Sequence, residues 1–142
     1  MNEFSNRILI NKTSSLINPR RIKDNLFADV GCVLVSQQNQ IYHGVCAASG
    51  SSTFCAETAA IAAMITGGEY RLKKIVATWK DERELTFVIS PCGNCRQLMS
   101  ETDESNLEAE VILDEKKSVF LKELLPYYDL WQEQLCNFLL VE

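Results

Sequence analysis

Phe54-Cys55-Ala56-Glu57 and Ser90-Pro91-Cys92-Gly93-Asn94-Cys95 are the two stretches on which the reading of this chain turns. Together they carry three cysteines, one of them two residues ahead of a glutamate. Three thiolates fill three corners of a tetrahedral zinc ion and leave the fourth open. An ion held in that way activates water, and a carboxylate beside it can carry the protons. Cys92 and Cys95 are three apart, which puts both sulfurs on one face of a helix. A helix is expected to start at each stretch, and the positive end of a helix favours the thiolate. Glu57 would lie on the first turn of its helix, within reach of a metal-bound water without being a ligand. Arg96, directly after Cys95, is placed to donate to a cysteine sulfur and offset the negative charge of three thiolates.

Working outward, the pattern predicts an α/β domain. Asn6 to Ile17 suits a first helix, closed by Asn18-Pro19. The valine-rich run Asp29 to Ser36, the polar turn at residues 37–40 and the run Ile41 to Ala47 predict a hairpin. Ala48 to Thr53 reads as loop. Cys55 to Ile65 is alanine-rich and helical, stopped by Gly67-Gly68. Leu72 to Trp79 and Leu85 to Ile89 read as strands about a charged turn. A third helix opens at Pro91, with Ser90 as its cap. Glu101 to Asn106 is a polar loop, Ala109 to Leu113 a fifth strand, and Ser118 to Leu125 a short helix ended by Pro126. Asp129 to Val141 carries apolar residues near helical spacing and predicts a C-terminal helix. Five strands interleaved with helices imply a three-layer α/β/α domain around one mixed sheet, spanning residues 1–142 as a single domain.

Composition narrows the function. The net charge of −5 and pI near 5.0 argue against a partner with a phosphate backbone, so no nucleic acid is expected. Arg20, Arg21 and Lys23 form a small basic cluster that reads as a solvated loop. No segment has the ~18 apolar residues of a membrane span, and no signal peptide is evident, so no membrane partner and a cytoplasmic location are expected. Six cysteines in such a compartment point to metal, catalysis or buried thiols rather than disulfides. A lone Cys-x-x-Cys is weak, since it also fits redox and structural zinc sites. A structural site needs a fourth ligand, and His43, the only histidine, is the test case. It is expected on a strand, partly exposed and away from any metal, while Cys32 and Cys46 are expected to be buried strand thiols.

Cys55-Ala56-Glu57 followed by Pro91-Cys92-Gly93-Asn94-Cys95-Arg96-Gln97 resembles the cytidine deaminase family, the small free-nucleoside branch, over roughly residues 6 to 126. Val30 to Val35, Gly44-Val45 and Glu123-Leu124-Leu125-Pro126 add to the resemblance. It implies a cytidine deaminase-like fold with a five-stranded mixed sheet, one catalytic Zn²⁺ per chain and a homotetramer. Carried over, Cys55, Cys92 and Cys95 are the ligands and Glu57 the proton shuttle. The backbone around Ala56 and Ser90 holds the pyrimidine. The implied reaction is hydrolytic deamination of a cytosine nucleoside, cytidine or deoxycytidine, to the uracil product.

One segment departs from the pattern. Family members acting on cytidine have Asn-x-Glu after the second strand to grip the ribose. Here Gly44-Val45-Cys46-Ala47-Ala48-Ser49 puts Cys46 and Ala48 at those substrate-binding places, and the loop to Cys55 is shorter. The shorter loop is similar to that of blasticidin S deaminases, which act on a cytosine nucleoside antibiotic, although their strand-end asparagine is also missing. Two readings from other classes stand beside these: a nonenzymatic zinc-binding homologue, and an editing deaminase acting on nucleic acid.

Overall fold

Ser5 begins the first element: its Oγ accepts the Ile8 N–H at 3.3 Å, and helix α1 runs Asn6–Leu16. The computed structural model describes residues 4–128, so the predicted C-terminal helix at Asp129 to Val141 lies outside the described residues. After α1 come β1 (Arg20–Ile22), β2 (Asn25–Ser36), β3 (Ile41–Ala48) and β4 (Thr53–Phe54). Helix α2 (Ala56–Thr66) leads to β5 (Leu72–Lys80), β6 (Thr86–Ile89) and helix α3 (Gly93–Thr102). A 3-10 helix (Glu104–Glu108), β7 (Glu110–Asp114), β8 (Lys117–Phe120) and helix α4 (Leu121–Leu124) complete the described chain.

The strands form one mixed sheet in the order β4-β3-β2-β5-β7-β8, with β1 paired to β2 and β6 to β5. Among the described residues only β5 and β7 run parallel. Residues Gly31 to Ser36 of β2 are buried on both faces, which is why that run reads as continuously apolar rather than alternating. Cys32 and Leu34 face one core with α2 and α3, which contribute Ile61, Met64 and Met99. Val33 and Val35 face the other, with Leu9 and Ile10 of α1 and Val76 and Ile112 of the sheet. The three-layer α/β/α arrangement expected from the sequence is therefore present.

The differences from expectation are local. Among the described residues the sheet has eight strands rather than five, because β1, β4 and β8 are two to four residues long and too short to show a period. Arg20 and Arg21 belong to β1 rather than to a loop, paired with Phe27 and Leu26, though both stay exposed. Helix was expected from Ser118 to Leu125, but Ser118 to Phe120 belong to strand β8, because pairing with β7 overrides local preference; of that stretch only Leu121–Leu124 is helical. Glu101 and Thr102 extend α3, and the polar stretch after them is a 3-10 helix whose first turn is capped by Asp103. Helix α3 starts at Gly93 with Cys92 at its cap, not at Pro91 with Ser90 capping.

Candidate active site and metal centre

The starts of α2 and α3 converge. Cys55 is the N-cap residue of α2 and Cys92 that of α3, each in extended backbone and neither using its side chain as a cap. Their thiols are thus free to face each other, and the two Sγ atoms lie 3.6 Å apart. Cys95, one turn into α3, is buried and completes a cluster in which the three sulfurs lie within 4.8 Å of one another. Its Sγ is 3.7 Å from the Thr58 hydroxyl. Burial pushes the Cys55 thiol up, and the hydrogen bond with Cys92 adds to this. Burial pushes Cys95 well up, followed by the nearby Glu57 carboxylate. At Cys92 burial also acts upward, but the Cys95 N–H and the neighbouring donors outweigh it and hold the thiol below its ordinary value.

A soft three-sulfur set at two positive helix ends fits zinc with one open position. His43 is exposed on β3 and is not part of the cluster. The site therefore has no fourth protein ligand among the described residues.

Glu57 sits on the first turn of α2 with 4% of its surface exposed. Burial raises its carboxyl above the ordinary carboxylate range, opposed only by its own backbone N–H. It lies on a cleft of about 260 Å³ lined also by Cys55, Ala56, Ser90, Cys92 and Cys46, so the cleft brings together the residues picked out as shuttle, substrate contacts and two of the three ligands, while Cys95 is fully buried outside the lining. Val30, Ala47, Ala48, Phe54 and Ile89 make most of the remaining wall. These walls suit a flat apolar ring.

Arg96 differs from expectation. Its Nε donates to Pro91 O at 2.8 Å, Nη1 to Leu124 O at 2.9 Å and Nη2 to Ser90 Oγ at 3.0 Å. Its bonds go to oxygen, a better acceptor than sulfur, and they tie the segment between β6 and α3 to the end of α4. Cys32 is fully buried, with burial and then Glu57 raising its thiol. Cys46 is half-buried and donates its thiol hydrogen to Asp29 Oδ1 at 2.8 Å. Burial, then this bond, keeps the thiol protonated. Sequence reasoning missed Thr58 and Asp29. Thr58 stands three residues after Cys55, a spacing that marks a shared helix face and could have found it. Asp29 carries no such signal, because an irregularity in β2 sets its direction.

Comparison with known proteins agrees with this geometry. The profile of the "Cytidine and deoxycytidylate deaminase zinc-binding region" matches residues 17–109, well over half of the chain. A cytidine deaminase of Mycoplasma genitalium is 34% identical over 74 residues, 51% of this chain and 54% of that protein. The chain thus matches about half the length of this curated relative. Among solved structures, the cytidine deaminase of Mycobacterium tuberculosis superposes with a TM-score of 0.66 at 22% identity, covering 85% of this chain and 94% of the other. That of Burkholderia pseudomallei gives 0.65 at 24% identity, covering 87% and 98%. At such identities these two establish the fold. Taken with three clustered thiols and a buried glutamate at converging helix starts, the match over residues 17–109 assigns the chain: it belongs to the cytidine and deoxycytidylate deaminase zinc-binding family.

Proposed function

We propose that this protein is a zinc-dependent aminohydrolase that converts a cytosine-type ring and water into the uracil-type product and ammonia. The observation that carries this reading is Glu57, buried at the wall of a cleft it shares with the thiols of Cys55 and Cys92. Cys55, Cys92 and Cys95 would hold one zinc, which when bound supplies the Lewis acidity that makes water nucleophilic at neutral pH. Glu57 accepts the proton lost by the attacking water. It returns a proton to the ring nitrogen and then to the departing amine, so that a C–O bond replaces the C–N bond. Its burial makes it a better base than an exposed carboxylate.

Ala56 and Ser90 hold the ring. Ser90 Oγ accepts from Arg96, which leaves its own hydroxyl hydrogen to donate to the substrate. The substrate is a cytosine nucleoside, cytidine or deoxycytidine, as the name of the Mycoplasma relative suggests. A cytosine nucleoside antibiotic such as blasticidin S is the second reading, favoured by one observation: the wall from Cys46 to Ala48 carries no amide or carboxylate to grip a ribose. A nonenzymatic zinc protein would have no use for a buried carboxylate on an open cleft. Nucleic acid is disfavoured by the charge of −5.

Cytosine, cytidine, deoxycytidine and blasticidin S, followed by ultraviolet absorbance with zinc-loaded protein, test the proposal. Deamination of at least one nucleoside is expected, with weak discrimination between cytidine and deoxycytidine. No turnover of any cytosine compound overturns the enzymatic reading. Strong preference for cytidine over every sugar-altered analogue removes the blasticidin-like alternative.

A further inference from the structure

The strand wall of the cleft contains an irregularity with a charged side chain in it. β2 and β3 pair Phe27 with Ala47 and then Gly31 with Val45, so that Ala28, Asp29 and Val30 stand opposite Cys46 alone. This is a bulge of three residues against one, a device that re-aims side chains beside functional sites. Ala28 pays for it with φ of 61°, a region that non-glycine residues seldom adopt. The Ala28 carbonyl accepts the Asn18 N–H at 3.0 Å, which pins the distortion to the segment after α1. The result places the Asp29 carboxylate 2.8 Å from the Cys46 thiol, itself part of the cleft wall, while the adjacent Val30 also lines the cleft.

We propose that Asp29 determines specificity for the substituent on the substrate's ring nitrogen, accepting a hydrogen bond from a hydroxyl or ammonium that it carries. This rests on the function proposed above. In that reaction the amine-bearing carbon must sit at Glu57 and the thiols, so the substituent across the ring turns to the wall built by β2, β3 and β4. That wall offers little else. Val30, Ala47, Ala48 and Phe54 are apolar, and the Thr53 hydroxyl is already donated to Ser49 O at 3.2 Å. Asp29 is not itself among the residues lining the cleft; it stands beside two that are, next to Val30 in sequence and 2.8 Å from the Cys46 thiol, and it is half-buried and forms no salt bridge among the described residues. A carboxylate has about four lone-pair sites, and the Cys46 thiol takes one. The thiol thus seats the carboxylate, and the substrate's donor takes a remaining site.

The probes are cytidine and three cytosines alkylated at the same ring nitrogen: 1-propylcytosine, 1-(3-hydroxypropyl)cytosine and 1-(3-aminopropyl)cytosine. Their flexible arms reach the wall without assuming a sugar pose. Wild type should favour the donor-bearing compounds over the propyl compound in kcat/KM. In Asp29→Asn, which keeps the shape and an acceptor for the Cys46 thiol, that preference should fall by about tenfold or more, mainly through KM. Turnover of the propyl compound should stay within about twofold. If the charge matters most, the aminopropyl compound loses more than the hydroxypropyl compound; equal losses identify a hydroxyl acceptor, and either result supports the assignment. Cys46→Ser, which preserves the donor to Asp29, should retain the preference. Equal loss on all probes, or a wild type without donor preference, overturns the role of Asp29 while leaving the deaminase reading intact. Failure to deaminate any probe overturns the deaminase reading and this assignment with it.

Discussion

A glutamate on the first turn of a helix complements the helix dipole whether or not it does chemistry. Burial separates the two roles at Glu57, since a carboxylate serving only the dipole has no reason to leave water. Glu57→Gln should therefore keep the fold and the zinc while removing most turnover, on the order of a hundredfold or more. Zinc content and kcat measured on one preparation check this; lost zinc would make Glu57 a metal-holding residue, and undiminished turnover would place proton transfer elsewhere. The three thiols and Glu57 were legible because each spacing is local: three residues within α3, and two residues across the start of α2. The role expected of Arg96 was not legible. Which acceptors surround a guanidinium depends on where Pro91 and Leu124 come to lie, and Leu124 is twenty-eight residues away.

At the scale of elements, two contacts hold the helices that carry and back the site. Gly44 of β3 lies under α2, and a Cβ there would stand 2.5 Å from Ala59 Cβ and from Ala60 N. Gly44→Ala should push α2 off the sheet and cost about 1–3 kcal/mol. Because α2 carries Glu57 and follows Cys55, activity should fall further than stability alone accounts for; urea denaturation and kcat/KM measured together test this. On the other face, buried Thr78 Oγ1 donates to Thr13 Oγ1 at 2.8 Å, and Thr13 Oγ1 donates to Ile10 O at 2.6 Å. Thr13→Val strands the Thr78 hydroxyl and should cost about 1–3 kcal/mol, with part recovered in the double valine variant. Neither contact is visible in a linear pattern. Long elements such as α1, β2, α2 and β5 were, because each repeats its period several times; β1, β4 and β8 owe their existence to a partner strand.

For the whole molecule, several large apolar side chains are left in water, one of them on the cleft wall. Phe54 on its wall is 42% exposed; elsewhere on the sheet Trp79 is 39% and Phe87 44% exposed, their rings tilted against each other with centroids 5.9 Å apart. We expect the homo-oligomer that the family resemblance implies, a tetramer with subunit contacts near the clefts. Light scattering at micromolar concentration checks it, and a clean monomer overturns it. Zinc should be present at about one per chain, and its removal by a chelator should abolish turnover and lower the melting temperature, because the metal binds the folded cluster more tightly than the unfolded chain. A metal assay and calorimetry measure both; absence of zinc from active protein would overturn the assignment of the thiols. Among the described residues no helix is long and apolar enough to cross a membrane.

Local chemistry determined the ligand types, the carboxylate, the major helices and strands, and the layered architecture, since these follow from spacings of two to four residues and from periods that repeat within one element. Tertiary structure decided everything that depends on distant segments meeting. It joined Cys55 to Cys92 across thirty-seven residues, turned Arg96 to oxygen, and ordered the short edge strands. It also swung Asp29 onto Cys46 through the bulge in β2. A side chain's direction in a bulge is set by the register of the paired strands, and register is a property of two segments rather than one.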